Sequence, residues 1–183
     1  MTKQTFKDIK KEYIQSLKDY ILEEGGIFPH LTFFGEKLDE IDCPASIISV
    51  PLSSDFVESD KAKDLFIKDV FPKLCKTLKV KFNIVGVAWS SEAWMRVANK
   101  QEEIEDYTSI PVKEEVLIIN IESEFENNLE IYTIKRKGLQ VTQDGEMSEK
   151  VQLIKKQGTS SMIPSMKGRF AGLYEKLKKE NFE

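Results

Sequence analysis

Phe6, Ile9, Tyr13, Leu17, Tyr20 and Ile21 recur at three- and four-residue spacing, which predicts an amphipathic helix over about residues 4–24. Gly25-Gly26 should end it, because glycine takes the left-handed conformation at a helix terminus without steric cost. Residues 27–34 are rich in aromatic and aliphatic side chains and read as a strand, with Gly35-Glu36-Lys37 as a turn. Residues 45–52, rich in isoleucine and valine, supply a second strand, and the two should pair as an antiparallel hairpin. Ser59 or Asp60 can cap a second helix, whose expected buried stripe is Ala62, Leu65, Phe66, Val70, Leu74 and Leu78. Pro72 lies inside that helix and removes a backbone hydrogen bond, so a kink or a split is expected there.

Residues 80–89 are the most apolar strand. Strict alternation turns Phe82, Ile84 and Ala88 to one face and Val85, Val87 and Trp89 to the other, the pattern of a central strand covered on both sides. Residues 96–111 lose all periodicity, carry an acidic cluster and read as an exposed, mobile loop. Residues 116–121 are again apolar on both faces, and 129–136 alternate beyond the turn residues Asn127-Asn128. Residues 139–142 and 151–155, joined through Asp144-Gly145, complete a last hairpin. After a small polar joint at 158–161, Ser165 precedes a terminal helix with Phe170, Leu173, Tyr174 and Leu177 on one face. This order predicts an α+β fold: a mostly antiparallel sheet of mixed strand order with N-terminal, middle and C-terminal helices packed against it. Residues 1–157 are expected to form one domain, and 158–183 a linker and amphipathic helix able to act as a docking arm.

Composition adds bounds. A chain of 183 residues, 40% hydrophobic and 32% charged, is ordinary globular material with enough length for a sizeable core. No apolar run is long enough to span a bilayer, and the first residues run straight into a charged helical pattern, so neither a membrane nor export is expected. Cys43 and Cys75 have no metal or redox spacing and read as free thiols. A cytoplasmic location follows, or a virion if the chain is phage-encoded. Net charge is −4, which argues against a dedicated nucleic-acid binder. The charge is unevenly spread: residues 100–132 hold ten acids and two bases, whereas 133–180 hold eleven bases and five acids. That asymmetry is compatible with head-to-tail contacts between subunits or an anionic partner, though more often it marks two differently charged solvated faces.

Catalytic signatures are missing, including G-x-G-x-x-G, the Walker A loop, H-E-x-x-H and G-x-S-x-G. One histidine cannot build a multi-histidine metal site, so no metal and no cofactor is expected. His30 shares a strand face with Phe28, Thr32 and Phe34; it is either a packed histidine or a general base needing a carboxylate partner. In Trp89-Ser90-Ser91-Glu92-Ala93-Trp94-Met95, Glu92 continues the Ala88/Ser90 face. Near Trp89 and Trp94 it could titrate high and act as an acid or bind a ligand amine; alternatively the strand has ended and Glu92 is solvated. Lys135-Arg136-Lys137 and Lys155-Lys156 could meet phosphates, but basic runs on edge strands also prevent aggregation. Met162, Ile163 and Met166, with Lys167 and Arg169, read as an apolar-basic arm that docks on a partner.

The Pro29-His30-Leu31 segment in an early hairpin, the middle helix and the apolar strand ending in Ser91-Glu92-Ala93-Trp94 resemble small uncharacterised α+β proteins of bacteria and their phages. The resemblance covers about residues 27–95 and implies a fold without a chemistry. The expected function is a non-catalytic structural or protein-interaction module in an oligomer or larger assembly, such as a phage particle, with other protein subunits as partners. The alternative is a small-molecule-binding protein or hydrolytic enzyme with its site near His30 and Glu92. Deleting residues 158–183 is expected to leave a folded domain that assembles less well.

Overall fold

The computed structural model describes residues 1–39, 45–53, 59–96, 112–141, 144–156 and 172–179. Helix α1 (Lys3–Glu24) begins at Thr2, whose hydroxyl accepts from the Thr5 amide, and ends at Gly25, whose φ of 80° is the left-handed value glycine accommodates. Strands β1 (His30–Lys37) and β2 (Ala45–Pro51) form the expected antiparallel hairpin. The middle helix starts at Ser59, whose hydroxyl accepts from the Ala62 amide. It is split into α2 (Asp60–Leu65), a π turn (Phe66–Val70) and α3 (Phe71–Lys79), with Pro72 at the start of α3. Strands β3 (Phe82–Arg96), β4 (Val112–Ser123), β5 (Asn127–Val141) and β6 (Met147–Lys155) follow, and α4 (Leu173–Lys179) closes the described chain.

The fold is α+β. Its six strands run in the order β2-β1-β3-β4-β5-β6, every neighbouring pair antiparallel. Helix α1 lies on one face, where Phe6, Tyr13, Leu17 and Ile21 pack on Phe34, Ala88, Leu117, Ile119 and Ile134. The split middle helix and α4 lie on the other, where Phe66, Phe71, Cys75, Leu173 and Leu177 pack on Phe33, Phe82, Ile84 and Val87. No helix among the described residues is long and apolar enough to cross a membrane.

Four sequence expectations are corrected. Gly35-Glu36-Lys37 is strand, not turn: Gly35 sits at a bulge where β1 meets β3, and a Cβ there would fall 2.3 Å from the Asn83 carbonyl oxygen. The same bulge breaks the alternation of β3, so Val85 joins Ala88 on the α1 face while Phe82 and Ile84 join Val87 on the opposite one. In the middle helix, Leu65 and Val70 are 56% and 45% exposed, while Phe66, Phe71 and Cys75 are buried. The π turn adds a residue to one turn and rotates everything after it, so a stripe drawn at α-helical spacing runs off the core. Asn127 and Asn128 already belong to β5. The turn lies at residues 123–126, where the Ser123 hydroxyl accepts from the Phe125 and Glu126 amides and donates to the Glu126 carbonyl.

The loop read at residues 96–111 lies outside the described residues except for Arg96, the last residue of β3. Cys43, Phe170 and the arm residues Met162, Ile163, Met166, Lys167 and Arg169 lie outside them as well. The described part of the C-terminal segment packs on its own sheet, with Leu173, Tyr174 and Leu177 all buried.

Candidate functional site

Antiparallel pairing sets the two candidate catalytic residues on one face of adjacent strands, because His30 lies opposite Ser90 and Glu92 is two residues further along β3. The strand does not end at Glu92 but continues to Arg96, so the acid is held on the sheet. Its Oε1 accepts from the Ile27 amide at 2.7 Å and its Oε2 receives the Arg136 Nη2 at 3.2 Å. Burial pushes the Glu92 carboxyl above its ordinary range; the Ile27 amide and Arg136 oppose that, and nearby Glu115 reinforces it.

Arg136 gathers the surrounding groups. Its guanidinium forks onto Glu115, with Nε to Oε2 at 2.9 Å and Nη2 to Oε1 at 2.5 Å, and it also bonds Glu149. Nη1 donates to the Gly25 carbonyl at 2.6 Å. The last turn of α1 contains no basic residue, so Arg136 supplies from β5 the positive charge that a helix C-terminus favours. Gln140 Nε2 donates to the Leu22 and Glu23 carbonyls at 2.5 and 3.0 Å, and the Ser148 hydroxyl donates to Glu23 at 2.7 Å. Together with the Gly25 amide on Ile21, these bonds satisfy the carbonyls of Ile21, Leu22, Glu23 and Gly25. The Glu92–Arg136 cluster is therefore a staple between α1 and the sheet.

His30 borders a different feature. A cleft of about 230 Å³ opens between α1, through Tyr13, Ser16, Leu17 and Tyr20, and the facing residues Ile27 ahead of β1, His30 on β1 and Ser49 on β2. Glu92 does not line it. Beneath the cleft runs a chain of hydroxyls: Tyr13 to Ser90 at 3.2 Å, and Thr32 to Ser49 at 3.0 Å. Burial pushes the Tyr13 phenol up, against the lowering effect of its bonds to Ser90 and Thr32. His30 Nδ1 bonds the Phe28 carbonyl, which can only accept, so that nitrogen carries a proton, and in the neutral tautomer with this proton Nε2 is the acceptor. The tryptophans do not sandwich Glu92. Trp89 is buried on the opposite face, next in alternation to Val87, and Trp94 is 69% exposed near the end of β3.

The third feature is the far end of the β5–β6 hairpin. Gln140 pairs with Ser148 and both bond the end of α1, while Leu139, which lies opposite Glu149, and the Val141/Met147 pair are exposed. These three side chains are 67%, 66% and 62% exposed. The charge asymmetry, by contrast, closes within the sheet: Glu114 pairs with Lys156, Glu115 with Arg136 and Glu130 with Lys155. The Lys156 ammonium holds the Glu114 carboxyl below its usual range. Arg136, read as edge protection, lies on the interior strand β5, whereas Lys155 is on the edge strand β6.

Sequence reading missed Tyr13 and Ser49 as site residues, the pairing of Arg136 with Glu92, and Leu139, Val141 and Met147 as a surface. The acidic end of α1 (Glu23-Glu24 with no base) was the available signal for Arg136. No protein-family model matches this chain, and comparison with curated proteins and solved structures gives no significant match.

Proposed function

We propose that this protein is a non-catalytic interaction module that works by binding other protein subunits in an assembly. The observation that carries the reading is the end of the β5–β6 hairpin. Gln140 and Ser148 lock it to α1, while Leu139, Val141 and Met147 stand exposed to solvent. A preformed apolar surface loses little entropy on docking, which favours a binding role. Light scattering across a concentration series is the test. The wild-type chain should associate, and the triple variant Leu139→Ser, Val141→Ser, Met147→Ser should remain monomeric with an unchanged thermal midpoint. A strictly monomeric wild type at high concentration, with no protein co-purifying from its source, would sink the reading.

The cleft beside His30 favours a second reading, a small-molecule-binding protein. Its walls are mainly apolar, and the His30 Nε2 acceptor suits a small aromatic molecule carrying a hydrogen-bond donor, such as a phenol. Titrating simple phenols should shift the His30 ring resonances in a saturable manner, and Ser49→Leu, which fills the cleft, should abolish the shift. Ring resonances that stay put throughout the titration would remove this reading.

A further inference from the structure

We propose that the cleft between α1 and the β1–β2 hairpin binds a small aromatic carboxamide, whose N–H donates to His30 Nε2 and whose carbonyl accepts from the Ser49 hydroxyl. The inference rests on the small-molecule reading above and names the ligand class. It starts from the direction in which the hydroxyls beneath the cleft pass their protons. Ser90 and Thr32 are fully buried and Tyr13 nearly so, whereas Ser49 is exposed and lines the cleft. Among the described residues, Ser90 Oγ has one side-chain partner, the Tyr13 hydroxyl at 3.2 Å. A buried hydroxyl proton left without an acceptor is costly, so Ser90 donates to Tyr13. Tyr13 then passes its own proton to Thr32, its other side-chain partner, and burial, which pushes the phenol up, keeps that proton in place. Thr32 in turn donates to Ser49 at 3.0 Å. The reverse order would strand the Ser90 proton in the core. The one proton not used within the chain therefore belongs to Ser49, on the wall of the cleft.

His30 supplies the complementary group. With its Nδ1 proton held by the Phe28 carbonyl, the neutral ring offers the Nε2 lone pair. The cleft thus presents one donor and one acceptor. Ser49 pairs with Thr32, and His30 is two residues away on the same face of β1, so the two are diagonal neighbours. Such neighbours lie roughly 7 Å apart. A single ligand oxygen bonded to both would have to sit within about 3 Å of each. The nitrogen and oxygen of a carboxamide, about 2 Å apart, reach across a wider gap and carry a donor and an acceptor side by side. A carboxylate would set a second acceptor against Nε2, and an ester has no donor for it. Leu17, Tyr20 and Ile27 give the rest of the cleft an apolar and aromatic wall for the ring. Its volume of about 230 Å³ suits a ligand of one ring.

The test follows the His30 ring resonances at mildly alkaline pH while benzamide, methyl benzoate and phenol are titrated separately into the full chain. Benzamide should bind roughly tenfold or more tightly than methyl benzoate, which keeps the ring and the carbonyl but lacks the N–H. Ser49→Ala should weaken benzamide by about tenfold with an unchanged thermal midpoint. If phenol shifts the resonances saturably while benzamide binds no better than methyl benzoate, the carboxamide assignment is overturned and the small-molecule reading stands. Benzamide binding to Ser49→Ala as tightly as to the wild type has the same consequence. Resonances that none of the three compounds moves overturn both.

Discussion

Replacing Arg136 with methionine is expected to cost about 3 kcal/mol in urea unfolding, toward the low end of what leaving buried charges unpaired costs, because 31% of the side chain is exposed. The substitution removes the counter-charge of Glu92, Glu115 and Glu149 together and orphans the Gly25 carbonyl. The loss should be local before it is global: amide exchange should accelerate first at residues 21–27, where α1 hands over to β1. It should also depend on pH. The folded pKa of Glu92 is already raised above its usual value of 4.5, chiefly by burial. A raised carboxyl pKa contributes stability that is complete below the unfolded value and is lost as pH rises through the folded value. Removing Arg136 raises that pKa further, so the variant should lose more at neutral pH than near pH 4. Glu92→Gln keeps an oxygen for the Ile27 amide and drops the charge, and in the Arg136→Met background it should restore part of the neutral-pH loss. Equal stability of wild type and Arg136→Met across that range would show that the staple contributes nothing.

The staple also marks where the sequence stops being legible. The period of α1, its arrest at Gly25, the break before Pro72 and the apolar strands β2, β3 and β4 follow from local pattern alone. Glu92 and Arg136 are 44 residues apart and Tyr13 and Ser90 are 77 apart. Only the pairing of β3, β4 and β5 brings the charged pair together, and only the placement of α1 over β3 joins the hydroxyls. Alternation failed in two places, the bulge beside Gly35 and the π turn before Phe71, where one inserted residue reverses or rotates every side chain that follows. The charge asymmetry was visible but misleading, because an antiparallel meander lays the acidic stretch beside the basic one.

Truncating the chain after residue 171 is expected to remove most of its stability, against the expectation from sequence that the C-terminal segment is dispensable for folding. Helix α4 has seven residues, too few to persist alone, and its sequence invites the picture of a swinging arm. Both of its ends, however, are tied to its own domain. Glu122 on β4 accepts from the Gly172 amide at 2.7 Å and the Tyr174 amide at 3.0 Å, and Lys79 at the end of α3 donates to the Leu177 carbonyl at 3.0 Å. Between these anchors Leu173, Tyr174 and Leu177 are buried in the cluster formed by Phe71, Cys75, Phe82 and Ile84. Buried side chains of this size contribute about 1.5–3 kcal/mol each. Their combined loss is on the order of the 5–15 kcal/mol that separates most folded domains from their unfolded chains. The milder Leu177→Ala variant should cost about 3 kcal/mol, as expected for a large-to-small change at a fully packed site. Glu122→Ala should weaken the same attachment by removing the acceptor for two amides. Urea titrations of the three variants provide the check. A truncated chain with the wild-type unfolding midpoint would mean that the contacts of α4 add nothing to the domain, and would return this segment to the role of an arm.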